Sequence, residues 1–303
     1  MTVRPDPDFK GFHSGFVAIL GAPNAGKSTL LNRMLGQKIA ITSKKPQTTR
    51  NRILGVVHRE KAQLVFIDTP GIHKARSPLN ARIVDTALSV LADVDLVLIL
   101  VDAARPEPSS ETYLLRRLET VDKPVVLALN KIDLVPHDVL LARMAAWSER
   151  RDFKAILAIS ALRGLEIDTL LAAMQERLPE GPPFFPEDTL TDAPERFIVA
   201  ELIREKVFRL TGEEIPYASA VTVESFKENP RGGMIRIHAS IHLERHSQKG
   251  IVIGKGGLKL KEIGRAARTD IERLLATRVY LELFVRVQKN WRRDTRALRK
   301  FGY

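Results

Sequence analysis

The chain has 303 residues, 44% hydrophobic and 28% charged, ordinary globular usage that excludes a disordered tail and suggests about two domains. It contains no cysteine, which excludes a disulfide framework, thiolate zinc sites, iron–sulfur clusters and cysteine nucleophiles. Of its net charge of +12, residues 179–230 contribute a deficit (5 basic, 11 acidic) and residues 231–303 the excess (18 basic, 6 acidic), a basic block that attracts polyanions such as nucleic acid or an anionic membrane.

The acidic, proline-bearing start Arg4-Pro5-Asp6-Pro7-Asp8 lacks a signal peptide's apolar region, and the longest strongly apolar run, Leu96–Val101, is far shorter than the roughly 20 residues of a membrane helix. The expectation is a soluble, unexported protein. Apolar runs predict strands over Phe16–Leu20, Arg52–His58, Leu64–Ile67, Leu96–Val101, Val125–Leu129 and Ala155–Ile159. Amphipathic stretches between them predict helices near Lys27–Leu35, Leu79–Leu91, Glu111–Leu118, Val139–Arg150 and Ile167–Arg177. This alternation is the pattern of an α/β domain whose mostly parallel sheet is covered by helices. Leu178-Pro179-Glu180-Gly181-Pro182-Pro183 then breaks all periodicity, which divides the chain into a domain over residues 1–178, a linker over 179–194 and a second domain over 195–303. The second domain reads helix (Glu195–Leu210), strand (Ala218–Phe226), strand (Met234–Glu244), a short apolar helix, a glycine loop, a long basic helix (Leu258–Ala276) and a strand (Val279–Val287).

Gly21-Ala22-Pro23-Asn24-Ala25-Gly26-Lys27-Ser28 fits G-x-x-x-x-G-K-[ST] between a predicted strand and a predicted helix. In that setting backbone N–H groups wrap phosphate oxygens, Lys27 reaches the β/γ-phosphates and Ser28 holds Mg²⁺, with Thr29 next in line at the helix start. Asp68-Thr69-Pro70-Gly71 follows the Leu64–Ile67 strand, placing a carboxylate near the metal and the Gly71 N–H where a γ-phosphate is sensed. Asn130-Lys131-Ile132-Asp133 and Ser160-Ala161-Leu162 follow two further strands. Four motifs at the C-terminal ends of four strands converge on one rim, where open α/β sheets bind ligands.

These motifs resemble the GTPase superfamily, in which the N-K-x-D and S-A-x loops clasp guanine. A carboxylate at Asp133 accepts from N1–H and the exocyclic amine of guanine, a donor pair that adenine lacks, so the resemblance implies GTP and GDP as ligands. In the basic segment Lys44–Arg50 it implies a threonine that closes over Mg²⁺ with the γ-phosphate, Thr49 with Thr48 as the alternative. The catalytic set is then Lys27, Thr49, Asp68 and Gly71, and the metal set Ser28, Thr49 and Asp68. Ile72 stands where Ras-like enzymes carry a water-orienting glutamine, which predicts slow intrinsic hydrolysis. That replacement marks the Era-like branch, and Asn24 resembles members of it that use a monovalent cation, implying K⁺ dependence.

Gly254-Lys255-Gly256-Gly257 fits the G-x-x-G loop of KH domains, which lets a nucleic-acid backbone approach closely beside a groove for about four nucleotides. Lys259 and Lys261 on the following helix complete the candidate RNA contacts, and the element order resembles the bacterial, type II KH fold. Trp291 in the basic tail either stacks on a base or packs against the domain. His238, His242 and His246 have a metal-like spacing only if helical; strict alternation around them says strand, facing solvent or RNA.

A GTPase domain followed by a KH domain resembles the Era-like family of ribosome-assembly GTPases over essentially the whole chain. The resemblance implies a GTP-dependent switch that binds small-subunit ribosomal RNA near its 3′ end during assembly of that subunit. It also implies a monomeric, cytoplasmic protein that associates peripherally with the membrane and has no obligate protein partner. Two competing readings are a nucleotide kinase, which lacks an acceptor-substrate domain here, and an RNA-binding module on an inactive nucleotide fold, against which four intact motifs stand.

Overall fold

Aliphatic runs without a polar alternate can only be buried on both faces, and they form the centre of the first unit. The computed structural model describes residues 9–42, 53–69, 71, 90–212, 214–228 and 233–301, and the chain divides into unit 1 (Met1–Gln37 and Arg52–Asp192) and unit 2 (Lys38–Asn51 and Ala193–Tyr303). Unit 1 holds strands β1 (His13–Gly21), β2 (Ile53–Arg59), β3 (Ala62–Asp68), β4 (Leu96–Asp102), β5 (Val125–Asn130) and β6 (Ala155–Ile159). Its helices are α1 (Lys27–Leu35), α2 (Pro108–Leu118), α3 (His137–Ser148) and α4 (Ile167–Gln175). The predicted helix Leu79–Leu91 falls mostly outside the described residues.

The sheet runs β2-β3-β1-β4-β5-β6. Only β2 is antiparallel to its neighbour, because Glu60 and Lys61 alone connect β2 to β3 and so short a turn permits no parallel crossover. β1 pairs in parallel with β3 on one side and β4 on the other. The strand order therefore reverses at β1, and the loop leaving its C-terminal end sits at the switch point of the sheet. Ala18, Leu20, Val97, Ile99 and Leu127 are fully buried in the core on which α2 sets Leu114 and Leu118.

Residues 179–192, read from sequence as part of a linker, are tied along the β1–β3 side of unit 1. The Ser14 N–H donates to the Pro179 carbonyl (3.0 Å) and the Val56 N–H to that of Leu190 (2.9 Å). The Gln63 amide donates to the Phe185 carbonyl (2.7 Å) and accepts from the N–H groups of Phe184 and Phe185. Proline and glycine remove periodicity, but the backbone amides of the segment still require partners.

Unit 2 contains α5 (Glu195–Leu210), α6 (Ile215–Ala218), β7 (Ala220–Lys227), β8 (Ile235–Leu243), α7 (His246–Ile253), α8 (Leu258–Leu275), β9 (Val279–Val287) and α9 (Thr295–Lys300). The sheet order is β7-β8-β9, antiparallel between β7 and β8 and parallel between β8 and β9. Ile237, Ala239, Ile241 and Leu243 alternate into the core, and Ile263, Ala267 and Ile271 line the buried face of α8 at helical spacing. α5 is buried on nearly all sides although it carries Glu201, Arg204, Glu205 and Lys206. Buried charges need partners, and Glu205 has them in Lys38 (2.5 Å) and Arg209 (2.6 Å), while Asp270 on α8 receives Lys38 (2.8 Å) and Lys206. Arg209 also donates to the Thr42 carbonyl, so the segment beginning at Lys38 is fixed by side chains of α5 and α8.

Candidate phosphate and base site, and the glycine loop

The turn after β1 bends because two residues adopt left-handed backbone, Asn24 (φ 63°) and Gly26 (φ 104°). Gly26 caps the N-terminus of α1, leaving the first N–H groups of the helix directed at the loop. Lys27 is buried and donates to the carbonyls of Gly21 (3.1 Å) and Ala22 (3.0 Å), so its ammonium lies across the mouth of the turn. Desolvation pulls its pKa down to about 8, against the opposing pull of Asp68.

Ser28 donates to Asp68 Oδ2 at 2.7 Å, joining the start of α1 to the end of β3. Burial pushes the Asp68 carboxyl up to about 6, with Lys27 and Ser28 opposing. The second carboxylate oxygen, Oδ1, is buried with no hydrogen-bond partner among the described residues. A hydroxyl beside a carboxylate with an orphaned buried oxygen is a hard-oxygen donor set that fits Mg²⁺. Gly71 lies so close to the phosphate turn that a Cβ would stand 2.8 Å from Pro23 Cα, a proximity only glycine allows. Thr69, between them, is anchored through Oγ1 to the Ile19 carbonyl (2.8 Å). Thr48, Thr49 and Ile72 lie outside the described residues.

The base side is built around Asn130 at the end of β5. Its Nδ2 donates to the Ala25 carbonyl (2.8 Å) and its Oδ1 accepts from the Ala161 N–H (2.9 Å), tying the phosphate turn to the 160–162 loop through one buried amide. Lys131 takes a left-handed conformation (φ 69°) and reaches the Asn24 carbonyl (2.7 Å) and Asp102 Oδ2 (2.5 Å). Ser160 Oγ donates to Asp133 Oδ1 at 2.6 Å and accepts from the Arg163 N–H. Asp133 is thereby held beside Ser160 and Ala161, the arrangement a guanine edge requires.

Two residues here escaped the sequence reading. Asp102 closes β4 and accepts from the N–H groups of Ala104 and Arg105 as well as from Lys131; an acidic residue ending an aliphatic strand was its only signal. Arg33, on α1, donates through Nε to the Ala161 carbonyl (3.2 Å) and through Nη2 to the Leu162 carbonyl (2.5 Å). In a trans peptide the C=O and the following N–H point in opposite directions. Holding the Ala161 oxygen therefore turns the Leu162 N–H away from α1. Nothing in the sequence marks an arginine on a helix for this task.

In unit 2, Gly254 (φ 71°), Gly256 (φ 59°) and Gly257 (φ 78°) carry the chain from α7 to α8. A Cβ on Gly254 would stand 2.7 Å from that of Lys259, so the loop closes tightly on the α8 N-terminus. Lys255 and Lys261 are exposed, and Lys259 pairs with Glu262 at 2.7 Å. Ile251 (54% exposed) and Leu258 (68%) flank the loop, apolar walls beside a polyanion-compatible turn. Trp291 is buried and donates to the Ala218 carbonyl (3.0 Å), so of the two roles open to it the structure places it in packing. His238 and His242 lie on strand β8, as the alternation says; His238 is half-buried beside Glu282 (3.3 Å), but His242 is buried against Thr222 (2.9 Å) and the Phe301 ring and faces neither solvent nor RNA, because the C-terminal segment covers that end of the sheet.

The family described as 50S ribosome-binding GTPase matches residues 16–131, and the family described as KH domain matches residues 214–292. The GTPase Era of Geotalea uraniireducens is 56% identical over 294 residues, covering 97% of this chain and 99% of the relative. That of Staphylococcus haemolyticus is 48% identical over 291 residues, 96% and 97% of the two chains. Among solved structures, a point variant of Aquifex aeolicus Era bound to GDP·AlF4⁻ superposes with a TM-score of 0.92 at 40% identity, covering 96% of this chain and 99% of the other. Era in complex with MgGDPNP and nucleotides 1506–1542 of 16S ribosomal RNA gives the same values.

Proposed function

The chain belongs to the Era family of GTPases, and on that premise we propose that its GTP hydrolysis drives a switch on small-subunit ribosomal RNA near the 3′ end, assisting maturation and assembly of that subunit. Support for the RNA comes from a relative of matching domain content and length crystallised with that part of 16S RNA. The description naming the 50S particle belongs to a family that matches only the nucleotide-binding part, so the two-unit relative carries more weight.

The observation that carries the nucleotide reading is the amide of Asn130, which links the phosphate turn at Ala25 to the base loop at Ala161. One side chain thereby sets the distance between the two ends of a nucleoside triphosphate. Asp133, steadied by Ser160, accepts from the guanine edge. Lys27 and the N–H groups of the turn neutralise phosphate charge, and Gly71 reports the γ-phosphate to the segments that follow. Ser28 and Asp68, with Thr49 as the third ligand, would hold Mg²⁺, which would supply Lewis-acid charge to the phosphate oxygens. Water attacks in line, and Ile72 leaves its orientation to backbone or partner. Gly254–Gly257, Lys255, Lys259 and Lys261 receive the RNA backbone.

Purified protein is expected to hydrolyse GTP and not ATP in Mg²⁺ buffer, and to bind an RNA of the 16S 3′-end sequence with an affinity that differs between GDP and a non-hydrolysable GTP analogue. By linkage the same RNA then changes GTP affinity by the same factor; equal RNA affinity in both nucleotide states refutes the switch. Asn24, exposed and left-handed in the phosphate turn, supports K⁺ as an accessory ion. Turnover in potassium chloride is expected to exceed that in sodium chloride at equal ionic strength, and identical rates remove the ion.

Arg33→Ala is expected to weaken GDP binding about tenfold, or about 1.4 kcal/mol, because its two hydrogen bonds are partly solvent-exposed and order the loop without touching the ligand. Arg33→Lys, which keeps the charge but lacks the planar guanidinium fork that spans both carbonyls, falls between. Calorimetric titration with GDP reads both; unchanged affinity in the alanine variant shows that the 160–162 loop orders itself.

A further inference from the structure

The sheet of unit 2 has two faces, and the glycine loop concerns only one of them. Ile237, Ala239, Ile241 and Leu243 of β8 turn toward the helix-covered core. The alternate positions form the opposite face, where register places Tyr280, Glu282, Phe284 and Arg286 of β9 beside Arg236, His238, Ser240 and His242 of β8. One end of this face is closed. Trp291, Ala297, Leu298 and Phe301 pack there with Ala220, and the Phe301 ring lies 4.5 Å from that of His242.

The cover stops at that end. Beyond it Tyr280 is 49% and Phe284 43% exposed, on one strand and one face, about 13 Å apart along β9 by strand rise. Between them His238 stands edge-on to Phe284 with ring centroids 6.5 Å apart. Arg236, paired in register with Tyr280, and Lys227, paired with Arg236, are both exposed. The carboxylates of the face are engaged locally, Glu282 with His238 (3.3 Å) and Glu224 with Arg286 (2.9 Å), so Lys227 and Arg236 set the sign of its open end. β9 is an edge strand of the sheet, so an RNA chain can pass round it from this face to the side on which α7 and α8 pack.

We propose that the open face of the β7–β9 sheet is a second single-stranded RNA platform, on which Tyr280 and Phe284 stack bases while Arg236 and Lys227, level with Tyr280, hold the phosphates at that end of the platform. Two exposed aromatic rings on a rigid strand, flanked by cations, are the components of base-stacking surfaces. Rings two alternations apart suit a chain running along β9, with one base on each ring. Among the described residues this face offers a protein partner two exposed aromatic side chains, Tyr280 and Phe284, set among charged groups. The proposal rests on the reading of unit 2 as an RNA-binding unit and adds a second surface to it, so a long RNA touches both faces and a tetranucleotide only the groove.

The test uses the full chain with a pyrimidine tetranucleotide and a pyrimidine dodecanucleotide, followed by fluorescence anisotropy. Tyr280→Ala and Phe284→Ala are each expected to weaken the dodecanucleotide about tenfold and to leave the tetranucleotide unchanged. Gly257→Asp weakens both. Phe284→Trp keeps the stacking surface and places a reporter on it, since the native Trp147 and Trp291 are buried; its emission is expected to be quenched by the dodecanucleotide alone. Wild-type dodecanucleotide affinity in both alanine variants, or emission of the Phe284→Trp variant indifferent to RNA, overturns the platform. If Gly257→Asp leaves the tetranucleotide untouched while the alanine variants still lose the longer RNA, the groove reading fails and the platform stands.

Discussion

Replacing Asp133 by Asn is expected to lower GTP affinity by about a hundredfold or more while creating affinity for xanthosine triphosphate. The carboxylate is aimed by Ser160, whose hydroxyl donates to Oδ1 at 2.6 Å, and in the proposed site it would accept from two adjacent donors of guanine. An amide presents one donor and one acceptor in the same place, so one contact with guanine becomes donor against donor. Sites built around buried polar pairing reject the mismatched base by factors of about 10⁴ to 10⁵; Asp133 is open to solvent, which places the expectation at the lower end. Xanthine carries a carbonyl where guanine has its amine and restores the pairing. Hydrolysis of each triphosphate by the variant, measured over a concentration series, checks both halves. A variant that keeps GTP and ignores xanthosine triphosphate shows that Asp133 does not read the base.

Gly26→Ala is expected to abolish measurable binding of GTP and GDP alike, a loss of about a hundredfold or more. Gly26 holds φ 104°, where an L side chain is strained by about 1–3 kcal/mol, and a Cβ there stands 2.3 Å from Asn130 Nδ2. The methyl group displaces the amide that joins Ala25 to Ala161, so the phosphate turn and the base loop lose their common strut together. Gly36→Ala separates strain from contact. Gly36 is also left-handed (φ 68°), but a Cβ on it meets nothing within 4 Å. That variant is expected to melt a few degrees lower, for a cost of about 1 kcal/mol, and to bind GDP as the wild type does. Calorimetric titration and thermal unfolding of the two variants distinguish them, and nucleotide binding retained by Gly26→Ala refutes the strut.

Much of the architecture was legible in the one-dimensional pattern because the forces that produce it are local. Leu-Val-Leu-Ile-Leu-Val at Leu96–Val101 has no polar alternate and can only be a doubly buried strand, as β4 is. Ile235 to Leu243 alternates, the mark of a strand with one apolar face; β8 buries that face along its length and the other face only toward its C-terminal end. Gly26, Gly254 and Gly257 stand where the chain turns through left-handed backbone, and a motif with fixed glycines announces such turns. The KH-type order of helices and strands followed from the same periodicities. Residues 179–192 were legible only as a loss of periodicity. Composition says where regular structure ends but not which amides the irregular backbone will meet, and here they meet β1, β2 and Gln63.

The sequence by itself determined the fold class, the two-unit order and the chemistry of the nucleotide loops, since each depends on residue type at short spacing. Only the tertiary structure decided which residues stand across from one another. Arg33 reaches the 160–162 loop across 128 positions of chain, Lys38 meets Asp270 across 232, and Tyr280 and Phe284 share a bare sheet face because the cover formed by Trp291 and Phe301 ends short of them. Contacts of that span leave no period or motif in the chain. They arise when separately formed elements bury their apolar faces and bring the remaining polar and aromatic groups to whatever lies opposite.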